Sequence, residues 1–450
     1  MAPTRALYWF TSDLRLSDNH SLQNTIAGSD YAAFLYVINP HDLVPENYHH
    51  KRIGEKRLQA IFESLSSLEL QLNRFGHALI VVMGSPEHII PKLVMLHNIN
   101  RVGCAVQFSY DEKLSLARVT GALPEVEFIS EIDATLLTPE VLPDERVFSS
   151  FTRFRNCVET SLAPDVPKLD LSFLNQPKPL TLHSLDVEKK SAMSLRNQSI
   201  TSQGQQTLGE ENAQIHLQGY FSTQMPLRYK ETRNELSFGT FGNQLNSTRF
   251  STLLALGNLS PRQIWYSLKQ YEGIYGATES TYWIGFELIW REYFYWLSQR
   301  LGSKLFSFSG ITGKKPHTTF IAEHFAAWCH GNTQYPLVNA AMNELNQTGY
   351  ISNRARQIVA SCLVNELGVD WRYGAAYFQQ QLIDYDTAIN WGNWQYIAGV
   401  GVDPRGGRHF NIEKQTALYD PNSEYINKWQ GAKTLTTPGY DLVGWPILTQ

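Results

Sequence analysis

Two aspartates, Asp384 and Asp386, stand one residue apart in IDYDTAINWGNWQY, residues 383–396, in a run rich in tryptophan and tyrosine. A solvated acidic loop has no use for so many rings, and an ordinary core does not bury two carboxylates. Two more segments raise the same question. With residues 281–300 read as a helix at 100° per residue, Trp283, Glu287, Trp290, Arg291 and Phe294 share one face. That face is either an Arg–Glu pair four residues apart on a core-edge helix, or a pocket wall that offers a flat ring beside a carboxylate. In SNRARQIVAS, Asn353, Arg356 and Gln357 share a turn, and Arg356 inside an apolar helix wants an anion or a carboxylate.

The elements that hold these residues follow from periodicity. ALYWF, YAAFLYVI, HALIVVMG, VGCAVQF and EVEFIS are short apolar runs suited to buried parallel strands. Helical patterns lie between them, such as KRLQAIFESLSSLELQLNRFG, closed by Gly76. Residues 1–135 therefore read as a doubly wound α/β domain. It has no GxGxxG, and GITGKK lacks the Walker A spacing and its final Ser/Thr. Residues 136–205 are punctuated by proline (LAPDVPKLD, LNQPKPLTL) and read as an irregular linker along the surface. Residues 206–450 read as a mostly helical domain, with helices opening on Ser260–Pro261 and Ser352, the latter stopping at Gly368. Those helices are too apolar and aromatic for a surface bundle and must enclose something.

Composition limits the class. The chain has 450 residues, a formal net charge of −4 and 18% charged residues, which describes a large globular core without a basic excess. Such a balance leaves nucleic-acid binding to a local basic patch. The cysteines Cys104, Cys157, Cys329 and Cys362 are scattered and form no CxxC, so neither a zinc site nor a disulfide framework is expected, and a reducing, cytoplasmic setting fits. MAPTRALYWFTSDLR has no signal-peptide pattern, and no apolar run is long enough to span a bilayer.

The ordered blocks WFTSDLRLSDNHSL, RYKETRN, STRFSTLLALGNLSPR, STYWIGFELIWREYF, AWCHGNTQYPLVNAAMNELNQTGYISNRARQIVAS, VDWRYGAAYF, DYDTAINWGNWQYIAGVGVDPR and FNIEKQTALYDP resemble the photolyase/cryptochrome family of flavoproteins over nearly the whole chain. The SNR triplet at residues 352–354 and the WGNWQY run resemble its cryptochrome DASH branch. The resemblance implies an α/β domain followed by a helical domain that holds FAD. It implies that Tyr229 and the run Ser247, Thr248, Arg249, Phe250, Ser251 meet the ribityl–pyrophosphate part, with Arg291 and Asn353 also at the cofactor. Arg356 would pair with Asp384 beside the isoalloxazine, Asp386 would accept from the cofactor, and Asn390 would face N5.

The activity implied is light-driven splitting of cyclobutane pyrimidine dimers by an electron from reduced FAD, preferentially in single-stranded DNA. RNA or duplex DNA would bind weakly, and the protein would act as a monomer. Glu287 would hydrogen-bond the lesion, Trp290 and Tyr396 would clasp it, and Gln357 would lie nearby. Arg354, Gln395 and Arg405 would contact DNA, with Lys314, Lys315 and Arg408 as further cations. A 5,10-methenyltetrahydrofolate antenna would involve Gln107, Tyr110 and Glu112 in VQFSYDEK, although Gln107 stands where folate-binding relatives often place an acid. Trp394 and Trp371 would relay electrons to the flavin. The outer tryptophan is replaced by Thr318, so either Tyr373 or Tyr377 would serve at the surface end or photoreduction would be slow. The alternatives are a blue-light receptor with little repair and a nucleic-acid-binding regulatory flavoprotein.

Overall fold

The computed structural model describes residues 3–142, 145–199, 208–237, 246–402 and 407–432. Six strands form one parallel sheet: β1 (Arg5–Phe10), β2 (Tyr31–Ile38), β3 (Leu79–Met83), β4 (Arg101–Gly103), β5 (Glu127–Ile129) and β6 (Lys178–Pro179). The order is β3-β2-β1-β4-β5, with β6 paired to the start of β2. Alternate residues of β1 enter different cores. Ala6, Tyr8 and Phe10 pack with the helix Glu55–Arg74, and Leu7 and Trp9 pack with the helix Pro86–His97. This two-sided burial explains why the strands read as unbroken apolar runs. Of the run VGCAVQF, residues 102–108, only Val102 and Gly103 belong to β4.

The expected linker is more ordered than its prolines suggest. It contains the helices Phe151–Val158 and Asp186–Ser199, and the second packs against β3 and the helix Glu55–Arg74. The proline spacing marked the loops between these pieces, not a single extended strap.

The helical half is built from long capped helices. Pro261–Tyr275 and Glu279–Leu301 each begin with a reciprocal capping box, from Ser260 with Gln263 and from Thr278 with Thr281. Asn353–Ser361 is capped by Ser352, and Thr387–Ile397 by Asp386. Among the described residues no helix is long and apolar enough to cross a membrane.

Buried charges join the two halves. Arg262 Nε donates to Asp18 at 3.0 Å, and its Nη2 lies 3.3 Å from Asp133. Glu210 accepts from the backbone N–H groups of Leu16 and Ser17 at 2.7 and 2.9 Å. Such pairs hold only when each partner is satisfied.

Glu292, 1% exposed, accepts from the N–H groups of Leu136 and Leu137 and pins that segment to the long helix. Burial pushes its carboxyl up to about 7. The folded-state value lies above the unfolded one, so its favourable contribution is present at low pH and lost as pH rises through the folded value. Melting temperature should therefore fall less between about pH 4.5 and about pH 7 in Glu292→Gln than in the parent. Identical slopes in paired melts would exclude this role.

Candidate flavin and substrate site

Several helices and the segments between them enclose a cavity of about 390 Å³. The helix Glu279–Leu301 presents Glu287, Trp290, Arg291 and Phe294 to it; Asn353–Ser361 presents Asn353, Arg356 and Gln357; and Thr387–Ile397 presents Asn390, Trp394 and Tyr396. Tyr229, Asp384, Asp386 and the run Ser247, Thr248, Arg249, Phe250, Ser251 complete the wall. Residues from widely separated blocks thus meet at one place.

The polar geometry inside is specific. Arg356 Nη2 donates to Asp384 Oδ2 at 2.8 Å, and its Nε donates to the Ile351 carbonyl at 3.0 Å. Asp384 Oδ1 is buried with no hydrogen-bond partner. An unpaired buried carboxylate oxygen is costly, so it marks where a ligand donor belongs. Asp386 accepts from Ile389 N–H at 3.0 Å through Oδ1, and from the Tyr295 hydroxyl through Oδ2. Asn390 is 7% exposed, and its Nδ2 donates to the Ala375 carbonyl at 3.0 Å. That bond fixes the amide with Oδ1 as the acceptor left for a partner in the cavity.

Glu287 and Arg291 are not the helical ion pair that their spacing allows. Arg233 Nη2 lies 2.5 Å from Glu287, while Arg291 donates to the Ala134 carbonyl and, at 2.8 Å, to the Tyr295 hydroxyl. The two side chains do not pair because the Ala134 carbonyl, at the end of the α/β domain, and Arg233 of the RYKETRN segment supply other partners. Burial raises the Glu287 carboxyl above its ordinary value, and the Arg233 guanidinium holds it back. Arg233 was missed as a site residue, though it stands in a block that supplied Tyr229.

Trp290 lies flat against Phe151, with ring centroids 3.5 Å apart and planes at 8°. Its ring meets that of Tyr396 at 5.9 Å and 75°. The two rings form a corner, not a parallel clasp. The Tyr396 hydroxyl accepts from Arg408.

Several expected residues lie elsewhere. Gln395 is 2% exposed and ties the Lys304 and Leu305 carbonyls, at 3.1 and 2.8 Å, so it is a buried structural residue and not a DNA contact. Arg354 donates to Asn234 at 3.1 Å and lies over the Tyr419 ring. Arg405 falls outside the described residues. The Gln107 amide turns inward to Thr11 and the Ala105 carbonyl, at 3.0 and 2.8 Å, while Tyr110 is at the surface. Glu112 is exposed in the first turn of the helix Tyr110–Gly121.

Trp394 and Trp371 are both buried but do not share a ring contact. Trp394 meets Phe378 at 5.2 Å and Trp328 at 6.1 Å, while Trp371 meets Trp391 at 5.7 Å. A Cβ on Gly374 would sit 2.3 Å from the Trp394 ring, so only glycine lets that helix approach so closely. Rings continue outward from Trp391 to Tyr48 at 6.3 Å, then to Tyr373 at 5.0 Å and Phe320 at 4.2 Å. Tyr373 therefore leads to the surface, whereas the Tyr377 hydroxyl is committed to Asn346 and the Cys329 carbonyl.

Comparison with known proteins is consistent throughout. Residues 283–433 match the FAD-binding domain of DNA photolyase, and residues 6–170 match the DNA photolyase domain. The chain is 41% identical to a cryptochrome DASH of Idiomarina loihiensis, over 98% of this chain and 96% of that one. The chain belongs to the cryptochrome DASH branch of the photolyase/cryptochrome family. A Vibrio parahaemolyticus cryptochrome DASH is 42% identical, over 99% and 97% of the two chains. The crystal structure of a Synechocystis cryptochrome superposes with a TM-score of 0.86 at 33% identity, over 95% of this chain and 89% of that one. An archaeal photolyase from Sulfolobus tokodaii, solved with two FAD molecules, gives 0.75 at 26%, over 95% and 90%. This cryptochrome DASH is an FAD-binding protein. The polar groups in the cavity fit that group: an unpaired Asp384 oxygen and an Asn390 acceptor, the Arg356 guanidinium as donor, and the hydroxyl-rich run of residues 247–251.

Proposed function

We propose that the protein repairs cyclobutane pyrimidine dimers in light, with a preference for single-stranded DNA. The observation that carries this reading is that one cavity is shared by two sets of residues. Arg356, Asp384 and Asn390 address a flavin edge, and Glu287, Trp290 and Tyr396 address a lesion. When bound and reduced, FAD supplies the photoexcited electron that splits the dimer.

The chain's own groups position the reactants. Trp290 and Tyr396 offer two ring faces near a right angle, which suits the bent pair of bases in a dimer better than two flat planes. Phe151 backs Trp290, so its orientation is fixed before substrate arrives. Glu287, held in place by Arg233 at the cavity wall, can hydrogen-bond a pyrimidine of the lesion. Arg356 and Asp384 pair with each other at the cavity wall, where they would address the cofactor. Asn390, its Nδ2 committed to the Ala375 carbonyl, would offer its Oδ1 acceptor to the flavin. A lesion has to leave the base stack to reach this cavity, and leaving costs least in a strand that is already unpaired. Trp394, at the cavity wall, would pass electrons inward to reduce the cofactor.

The deciding experiment illuminates the reduced holoprotein with a single-stranded oligonucleotide that contains one thymine dimer. Recovery of the ultraviolet absorbance of the separated thymines is expected, and its absence would remove the repair reading. Glu287→Ala should still bind the lesion strand but convert it with a yield lower by about tenfold or more, since a hydrogen bond to a charged group is worth about 1.5–3 kcal/mol. Equal quantum yields for variant and parent would take Glu287 out of the mechanism.

A further inference from the structure

A row of rings leaves the cavity along the long helix. Trp290 stacks on Phe151, Phe151 meets Phe286 at 5.2 Å, and Phe286 meets Trp283 at 4.4 Å and Tyr282 at 6.0 Å. Tyr282, Phe286 and Trp290 are spaced by four residues and share one side of the helix. Burial decreases outward: Phe151 is 8% exposed, Trp283 and Phe286 are half-buried, and Tyr282 is 40% exposed. Packing alone does not account for rings that remain open to solvent.

Guanidinium groups accompany them. Arg233 lies 4.5 Å from the centre of Trp283, and Arg155 lies 5.8 Å from that of Phe286. Arg153 is exposed on the same short helix as Arg155. Acids are also present: Glu159 lies 3.5 Å from Arg155, and Glu287 pairs with Arg233.

We propose that this ridge is a stacking track for the unpaired nucleotides beside the lesion. The inference rests on the repair reading above and extends it beyond the cavity. From Trp290 to Tyr282 the helix rises about 12 Å, the length of about three stacked nucleotides. Every base has a face that a ring or a guanidinium can cover, so such a track binds strand without reading sequence. Bases within a duplex already stack on one another and have no free face to offer. The track therefore favours a single strand by contact, in addition to the lower cost of releasing the lesion.

The test uses the full, FAD-loaded protein and two ligands: a thymine-dimer dinucleotide and a single-stranded dodecamer with a central thymine dimer. The parent should bind the dodecamer more tightly. Tyr282→Ala with Trp283→Ala should lose about tenfold of that length-dependent gain, and Arg155→Gln should flatten the log–log salt dependence of dodecamer binding by about 0.7. Tyr282→Ala alone, at an exposed position, gives the same comparison if the double variant fails to fold. An undiminished gain in the variants would overturn the track and leave the repair reading standing. Equal losses for both ligands would place the effect in the cavity and also overturn it. If the parent binds neither ligand, the repair reading falls first and the track falls with it.

Discussion

Light-driven reduction of oxidised FAD by an external thiol should drop to background in Trp394→Phe, in a protein that still folds and still holds its flavin. Trp394 is 2% exposed, lines the cavity and presses against Gly374 in the neighbouring helix. Indole gives up an electron readily and benzene does not, while phenylalanine keeps most of the apolar contact. The same variant, reduced chemically beforehand, should still split dimers, because repair uses only the path between flavin and lesion. Normal photoreduction in the folded variant would remove Trp394 as a relay, and loss of flavin would assign it to packing. The next step outward can be tested separately. Trp394 touches Trp328, whereas Trp371 touches Trp391, so Trp328→Phe and Trp371→Phe distinguish two routes. If the sequence reading of the relay is right, the second is the more damaging.

Asp384→Ala should largely abolish FAD retention and lower the stability of what remains. The Asp384 side chain is 1% exposed and is the ion-pair partner of Arg356, which is 24% exposed. Removing one member of a buried pair costs about 3–5 kcal/mol, and partial exposure of Arg356 places this case toward the lower end. The cavity would also lose the carboxylate oxygen that has no protein partner. Asp384→Asn keeps the shape and one acceptor without the charge, and should lie between parent and alanine variant in both flavin occupancy and melting temperature. Full occupancy with an unshifted melt in Asp384→Ala would show that the pair does not hold the cofactor.

Much of this was legible from the residues. The β1 run announced two-sided burial, and Ser260, Ser352 and Gly76 marked helix ends through local chemistry that needs no tertiary information. Asp384 and Arg356 were suspicious because each was a charge in an apolar setting, and such charges need partners. Spacing failed where the partner came from far away. Glu287 and Arg291 sit four residues apart, but Arg233 and the Ala134 carbonyl were invisible to a helical wheel. Gln395 follows a cavity residue, Trp394, directly in sequence, yet adjacent helical positions point about 100° apart, and it turned to the Lys304 and Leu305 carbonyls. Within residues 136–199 the helix Phe151–Val158 carries a one-sided apolar pattern in Phe151, Phe154 and Val158, but eight residues do not hold a helix without the long helix they pack on, and the surrounding prolines masked it.

The Arg262 cluster bears on how the chain can be handled. A boundary near residue 135 invites the view that the flavin half is a module to be cut out and attached elsewhere. Yet Asp18 and Asp133 belong to the first half and Arg262 to the second, all three nearly inaccessible to water. Severing the halves would strand two carboxylates on one fragment and a guanidinium on the other, each shaped for a partner that had been removed. The chain is thus poor material for domain swapping or transplantation, and any scheme that recombines it with a relative has to move the aspartates and the arginine as a set.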